Sequence, residues 1–218
     1  MCGRFTLTLP DVEALARELA AELDRTRAAR YRPRYNAAPT DLHWVVRLAG
    51  GRRLLLPARF GFARAGKPPL VNARSETAPR LPTFRSAFRD GRCLVPVDGF
   101  FEWLEEGGRK RPRWLHRPGG GLLLLAGLCQ EREGELSFVI LTTEASADVR
   151  GLHGRMPAIL SPEGAAAWLE RPDPALLAPA PAGSLEARPV SLRVNSVAND
   201  DPGCLAPAEP PGQGSLGL

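Results

Sequence analysis

The sequence predicts a strand-dominated α/β (α+β) domain, and three observations carry that expectation. Short apolar runs bordered by Gly, Pro and polar residues recur along the chain, most clearly at 92–97, 122–129 and 136–142. Runs of that length with such borders read as buried strands. Helical spacing of apolar residues is confined to a few stretches, and no long alternation of strand and helix argues for a doubly wound sheet. With 218 residues, 44% of them hydrophobic and 24% charged, the chain suits one domain with a sizeable core.

Taken in order, residues 2–8 (CGRFTLT) alternate loosely and read as a first strand. Thr8 is then expected to cap a helix with Pro10 and Asp11 in its first turn and Val12, Leu15, Leu19 and Leu23 as its apolar stripe. The two prolines of 31–40 (YRPRYNAAPT) indicate a loop on a rigid path. Strands are expected at 43–48 and 53–57, the second ending at Pro57, followed by a Gly/Pro loop over 61–69 that leads into VNARSET at 71–77. A short polar helix is placed at 81–89, ahead of the strand 92–97. Segments 100–105 and 113–117 read as hairpin arms, with Gly107 and Gly108 near the turn.

After the strands 122–129 and 136–142, a strand is expected near 157–160 and a helix over 162–170, with Ser161 as N-cap and Pro162 as its first residue. The Pro/Ala-rich stretch 172–183 reads as loop and 189–193 as the last strand. From Ala208 onward the composition suggests a frayed tail, so the division is one domain over 2–207 and a flexible tail over 208–218.

Several function classes are disfavoured. The longest apolar run, 121–129, has nine residues, far short of the roughly 20 that a membrane helix needs. The N-terminus lacks a secretory pattern, so the expectation is a cytoplasmic monomer with no membrane partner, associated with the nucleoid when bound to DNA. The cysteines at 2, 93, 129 and 204 show no metal-ligand spacing. Cys93 and Cys129 lie in apolar strand patterns and read as small core residues. No metal and no cofactor is expected. Between residues 30 and 117 there are 19 Lys and Arg against 7 Asp and Glu, the imbalance that a polyanion-binding face requires.

Four residues could carry chemistry. Removal of Met1 would leave Cys2 with an α-amine and a thiol on adjacent carbons. Such a pair converts an aldehyde first to an imine and then to a five-membered thiazolidine, the second step being intramolecular. Glu102 in GFFEWLEE alternates with Phe101 and Trp103, so a strand would separate the carboxylate from the rings. A carboxylate in an apolar pocket can serve as acid or base, although a surface Glu at a strand end would look the same in sequence. His153, between Gly151 and Gly154, has the most irregular context of the three histidines and is the best candidate for a group titrating near neutrality. Asn72, Arg74 and Glu76 alternate in VNARSET, so an extended backbone shows them on one side. Arg4, Arg32, Arg34, Arg74 and Arg85, with Trp103 among nearby rings, have the composition of a single-strand groove, cations for phosphate and rings for bases.

These residues stand in blocks that resemble the abasic-site-processing family, also called SOS response-associated peptidases: MCGRFTLT, PRYNAAPT, VNARSET, RCLVPVDGFFEW, LTTEA, HGRMPAIL and PVSLRVNSVANDDPGCLAP, in family order from residue 1 to about 207. The resemblance implies curved mixed β-sheets around a basic channel and covalent capture of abasic sites in single-stranded DNA through Cys2. It implies that Asn72 orients the α-amine, that Glu102 promotes sugar ring opening, that His153 assists the proton transfers, and that Arg4 and Arg74 hold the flanking phosphates. Weak lyase activity and self-processing of the leader before Cys2 go with it. Phe101, Phe60 and Cys129 depart from the family's usual Tyr, Trp and Trp, which would alter stacking at the groove. Two other readings compete on the residues alone: an N-terminal cysteine hydrolase acting on amides, and a single-strand binder that does not react.

Overall fold

The structure is a computed structural model and describes residues 2–23, 28 and 30–208. In chain order the strands are β1 (Phe5–Leu7), β2 (Glu22–Leu23), β3 (Arg34–Ala37), β4 (Leu42–Ala49), β5 (Arg52–Phe60), β6 (Phe62–Arg64), β7 (Lys67–Leu70) and β8 (Asn72–Arg74). They continue as β9 (Arg92–Val97), β10 (Gly99–Glu106), β11 (Arg109–His116), β12 (Leu123–Arg132), β13 (Glu135–Glu144), β14 (Arg155–Pro157), β15 (Ile159–Leu160) and β16 (Glu186–Pro189). The helices described are α1 (Val12–Glu18), α2 (Pro82–Asp90), α3 (Ala147–Arg150) and α4 (Pro162–Glu170).

Strands β13, β12, β9, β4 and β5 pair in that order, and β5 returns to β13 through the parallel pairs Ser137–Arg59 and Phe138–Phe60. The sheet therefore curls into a closed barrel. Closure explains the near-continuous apolar runs, because both faces of each strand are buried. Along β12, Leu123, Leu125 and Cys129 point into the barrel cluster, while Ala126 and Leu128 belong to the outer one. The outer layer is completed by α1, α2 and α4 through Val12, Leu15, Phe84, Phe88, Trp168 and Leu169. At Gly127 a Cβ would stand 2.8 Å from both Cys93 Sγ and Val95 Cγ2, so the barrel interior admits no side chain there. A second sheet, ordered β16-β11-β10-β1-β3, packs Phe5, Phe100 and Leu115 onto the barrel's inner cluster. The architecture is a mixed α/β single domain on curved sheets with few helices, in line with the sequence reading.

Local departures from that reading have physical causes. Asp11, not Thr8, caps α1, its carboxylate accepting from Ala14 N at 2.6 Å. Thr8 instead donates to Asp98 Oδ2 at 2.6 Å. Leu23 lies beyond the helix in β2, opposite Leu55. Strand β5 runs through Pro57 to Phe60 because the missing N–H falls in a gap between neighbours: β2 reaches Leu54 and Leu55, and β13 begins at Arg59. The expected loop over 61–69 contains the small ribbon β6–β7, where Pro68 and Pro69 sit in a two-stranded sheet with free edges. The last strand precedes its expected place; after Pro189 the Ser191 hydroxyl accepts from Arg193 N at 3.2 Å and the chain turns into a 3₁₀ segment, Leu192–Asn195. The expected tail lies almost wholly outside the described residues. Ser161 caps α4 as expected, accepting from Gly164 N at 3.0 Å. Phe60 and Cys129 are barrel-core residues and Phe101 is fully buried, so their departures from the family pattern bear on packing, not on an exposed stacking surface. Among the described residues no helix is long and apolar enough to cross a membrane.

Candidate active site

The chain segment before β1 brings Cys2 into the barrel's inner cluster, where it is fully buried. Strand β8, running parallel to β13, carries Asn72 to the same point. Asn72 Nδ2 donates to Cys2 O and to Val71 O, both at 3.0 Å, and its buried Oδ1 has no hydrogen-bond partner among the described residues. An amide held by its nitrogen, with its oxygen idle beside Cys2, is set to accept from a donor there.

Glu102 arrives from the other side. In β10 the pairs Phe5–Phe100 and Thr6–Gly99, together with the bond from Phe101 N to Arg4 O at 2.9 Å, carry the register toward the N-terminus. Glu102 thus lies alongside the start of the chain and is 5% exposed. The alternation expected of GFFEWLEE holds: Phe100 packs in the barrel cluster, and Phe101 and Trp103 share a separate cluster on the opposite face. Burial pushes the Cys2 thiol well above the usual thiol range, and the negative charge of Glu102 adds to the effect. The thiol is therefore held protonated, with a carboxylate near enough to feel it.

His153 stands just before β14. Its Nδ1 lies 2.9 Å from Arg155 N and 3.0 Å from Arg155 O, so the Arg155 backbone holds that edge of the ring and Nε2 is the opposite edge. Strands β14 and β8 both pair with β13, and Pro157 and Arg74 share Thr142 as register partner. His153 thus reaches the same end of the barrel through strand pairing, without a hydrogen bond to Cys2 or Asn72. The Arg155 guanidinium takes both oxygens of Glu76 at 2.6 and 2.9 Å and reaches Thr142 O at 2.5 Å. This bond holds the Glu76 carboxyl below its ordinary range. Glu76, expected beside Asn72 and Arg74, is exposed and tied to Arg155.

The expected cations divide. Arg74 and Arg85 are exposed, with no ion-pair partner among the described residues. Arg32 is exposed and leans on Asp200 at 3.0 Å. Arg34 is corrected: it is 8% exposed, bonded to Asp41, to Asp200 at 2.6 Å and to Leu42 O at 3.1 Å, and so holds β3 in place inside the protein. Arg4 is half-buried. It donates to Asn36 Oδ1 and to Val194 O at 2.6 Å and lies 6.0 Å from the Trp103 ring, leaving part of its guanidinium for a ligand. Trp103 is partly exposed, its Nε1 donating to Asn195 Oδ1 at 2.8 Å. Sequence reasoning passed over Asn36, Arg155 and Asp200, which build the surroundings of the site. Their signal was a polar residue inside a block such as RYNAAP or HGRMP, where neither loop nor strand needs it.

Among the described residues no group of His, Cys, Asp and Glu could hold a metal ion. The arrangement instead offers a buried thiol, a carboxylate and an amide at Cys2, with an imidazole at the same end of the barrel. Those groups suit addition to a carbonyl.

The model of the SOS response associated peptidase (SRAP) family matches residues 1–197. Among curated proteins, the abasic site processing protein YedK of Escherichia coli is 34% identical, over 95% of this chain and 100% of its own length. The abasic site processing protein HMCES of Gallus gallus is 32% identical, over 96% of this chain and 78% of its own. A crystal structure of a protein from Bordetella bronchiseptica superposes with a TM-score of 0.74 at 28% identity, covering 88% of this chain and 100% of that one. Another, from Bacteroides thetaiotaomicron, gives a TM-score of 0.79 at 21% identity over 95% and 100% of the two chains, a likeness of fold.

Proposed function

Because the chain belongs to the SOS response associated peptidase (SRAP) family, we propose that it captures abasic sites in single-stranded DNA covalently, through Cys2 freed of Met1. The observation that carries this reading is the bond from Asn72 Nδ2 to Cys2 O at 3.0 Å, which fixes Cys2 against a buried amide, with the Glu102 charge acting on its thiol. Relatives of similar length, YedK of Escherichia coli among them, are named abasic site processing proteins, which agrees with that chemistry.

The Cys2 α-amine attacks the aldehyde carbon of the ring-opened deoxyribose, and the carbinolamine loses water to give an imine. Asn72 Oδ1 accepts a hydrogen bond from the amine and aims its lone pair. The thiol sulfur then adds to the imine carbon, its proton leaving as the imine nitrogen gains one, and closes the thiazolidine. Aldehyde and aminothiol have become ring and water. Glu102 carries protons in sugar ring opening and in ring closure, and the His153 imidazole stabilises the charge on the sugar oxygen. Because the adduct no longer has an aldehyde, β-elimination is suppressed; weak lyase activity is the leakage of the imine before closure. Removal of Met1 is the processing step that exposes the amine.

A denaturing gel of the protein with an abasic oligonucleotide tests the reading. The wild type should give a heat-stable complex. Cys2→Ser should give none, although borohydride should still trap its imine, because a hydroxyl is a far poorer nucleophile than sulfur. Glu102→Gln should form the adduct at least about tenfold more slowly. A heat-stable complex from Cys2→Ser would place the nucleophile elsewhere.

A further inference from the structure

We propose that the segment 192–199 is a fixed apolar step on which a nucleobase next to the lesion stacks, an inference that rests on reading the Cys2 site as one for single-stranded DNA. Leu192 and Val197 are 51% and 63% exposed and, with Leu81, are the exposed large hydrophobic side chains among the described residues. Two of the three thus fall on one short segment, and that segment is bonded to the strand ends that carry the site. Arg4, two residues from Cys2, donates to Val194 O, and Trp103, which follows Glu102 in β10 and faces the other side of the sheet, donates to Asn195 Oδ1.

The backbone beneath these side chains is held by internal bonds. The fully buried Asn36 uses its Nδ2 on three carbonyls, Val194 O at 3.3 Å, Ser196 O at 3.1 Å and Asn199 O at 2.6 Å. Asn199 Nδ2 returns to Arg193 O at 2.8 Å. A loop fixed in this way loses little entropy when it is covered, and Val197 is β-branched and stiff. Apolar side chains on a rigid loop, kept in water and bonded to the strands that carry the reactive site, are placed for contact.

Charge favours a polyanion as the occupant. Both carboxylates of the segment's end are engaged: Asp200 by Arg32, Arg34 and the N–H groups of Tyr35 and Asn36, and Asp201 by Arg193 and Gly203 N. Two side chains are also far less than the roughly 800 Å² per partner of a stable protein interface, whereas the face of one base matches them. The base supplies apolar area, and its phosphates meet the cations on either side.

The test uses an oligonucleotide with a tetrahydrofuran abasic analogue, which has no aldehyde and reports binding without reaction, and 2-aminopurine beside the analogue. The full-length double variant Leu192→Ser with Val197→Ser should bind about three- to tenfold more weakly than wild type, with an unchanged salt slope. The 2-aminopurine quenching seen with wild type should be lost. Both positions are exposed, so the thermal midpoint should hold. Unchanged affinity and quenching, in a wild type that binds the strand, would overturn this inference and leave the Cys2 reading standing. No strand binding by the wild type would overturn both. A wild-type dimer made monomeric by the two substitutions would reassign the step to a self-contact and overturn the stacking role.

Discussion

His43 points into the barrel, its ring 4.6 Å from Phe5 and 5.9 Å from Phe138. Its Nε2 lies 2.9 Å from Pro96 O, and its buried Nδ1 has no hydrogen-bond partner among the described residues. Burial, only partly offset by the Pro96 carbonyl, takes its pKa from 6.5 down to about 3. In the unfolded chain the same imidazole gains a proton near pH 6.5, so between that pH and about 3 the unfolded state binds more protons than the folded one. The contribution is therefore complete above pH 6.5 and is lost progressively as pH falls, at about 1.4 kcal/mol per unit. Urea midpoints at pH 7.5 and pH 5 should differ by about 2 kcal/mol of stability in the wild type, and His43→Gln should remove most of that difference. Equal losses in both proteins would assign the acid sensitivity to other groups. The sequence showed His43 beside Trp44 in a packed strand, and the structure agrees; its facing of Phe5 followed only from the second sheet, a contact across 38 residues that no local pattern encodes.

At the scale of elements, the β10–β11 hairpin couples the fold to the site. Its pairing runs from Gly99–His116 to Glu106–Arg109, and Gly107 and Gly108 take the turn with φ of 58° and 72°. That conformation is the tight hairpin turn their sequence announced. At the base of the hairpin, a Cβ on Gly99 would collide with the Trp114 indole and lie 2.8 Å from Leu115 O. Gly99→Ala should therefore cost about 3 kcal/mol as overpacking. Because Glu102 lies three residues along the same strand, it should also slow capture of an abasic site. A thermal midpoint equal to wild type would show that the sheet absorbs the methyl group freely. Hairpin, capped helix and barrel strands were legible because their signals are local. Asn36 and the 3₁₀ turn at Leu192–Asn195 were not, because the amide and the carbonyls it holds are about 160 residues apart.

For the whole molecule, the basic middle of the chain is a set of arginines with unlike fates, and charge counting alone cannot separate them. Arg34 is bound between Asp41 and Asp200, whereas Arg74 and Arg85 face solvent without an ion-pair partner among the described residues. Cysteine, asparagine and glutamate of the candidate site were named from their motifs, but the division of the cations needed the fold, since Asp200 reaches Arg34 across 166 positions. The division predicts two different outcomes. If Arg4, Arg32, Arg74 and Arg85 each neutralise a phosphate, log affinity for a single strand should fall with log salt at a slope near −3, about −0.7 per contact, or roughly fiftyfold between 50 and 200 mM. Arg74→Ala should make that slope shallower by about 0.7 and weaken binding alike on every sequence. Arg34→Ala should leave the slope of the folded protein unchanged and instead lose about 3 kcal/mol of stability, because Asp200, with its side chain 11% exposed, stays buried without it. Titrations at four salt concentrations, paired with urea melts of each variant, separate these cases. A slope altered by Arg34→Ala but not by Arg74→Ala would reverse the division and take the strand's path away from Arg74.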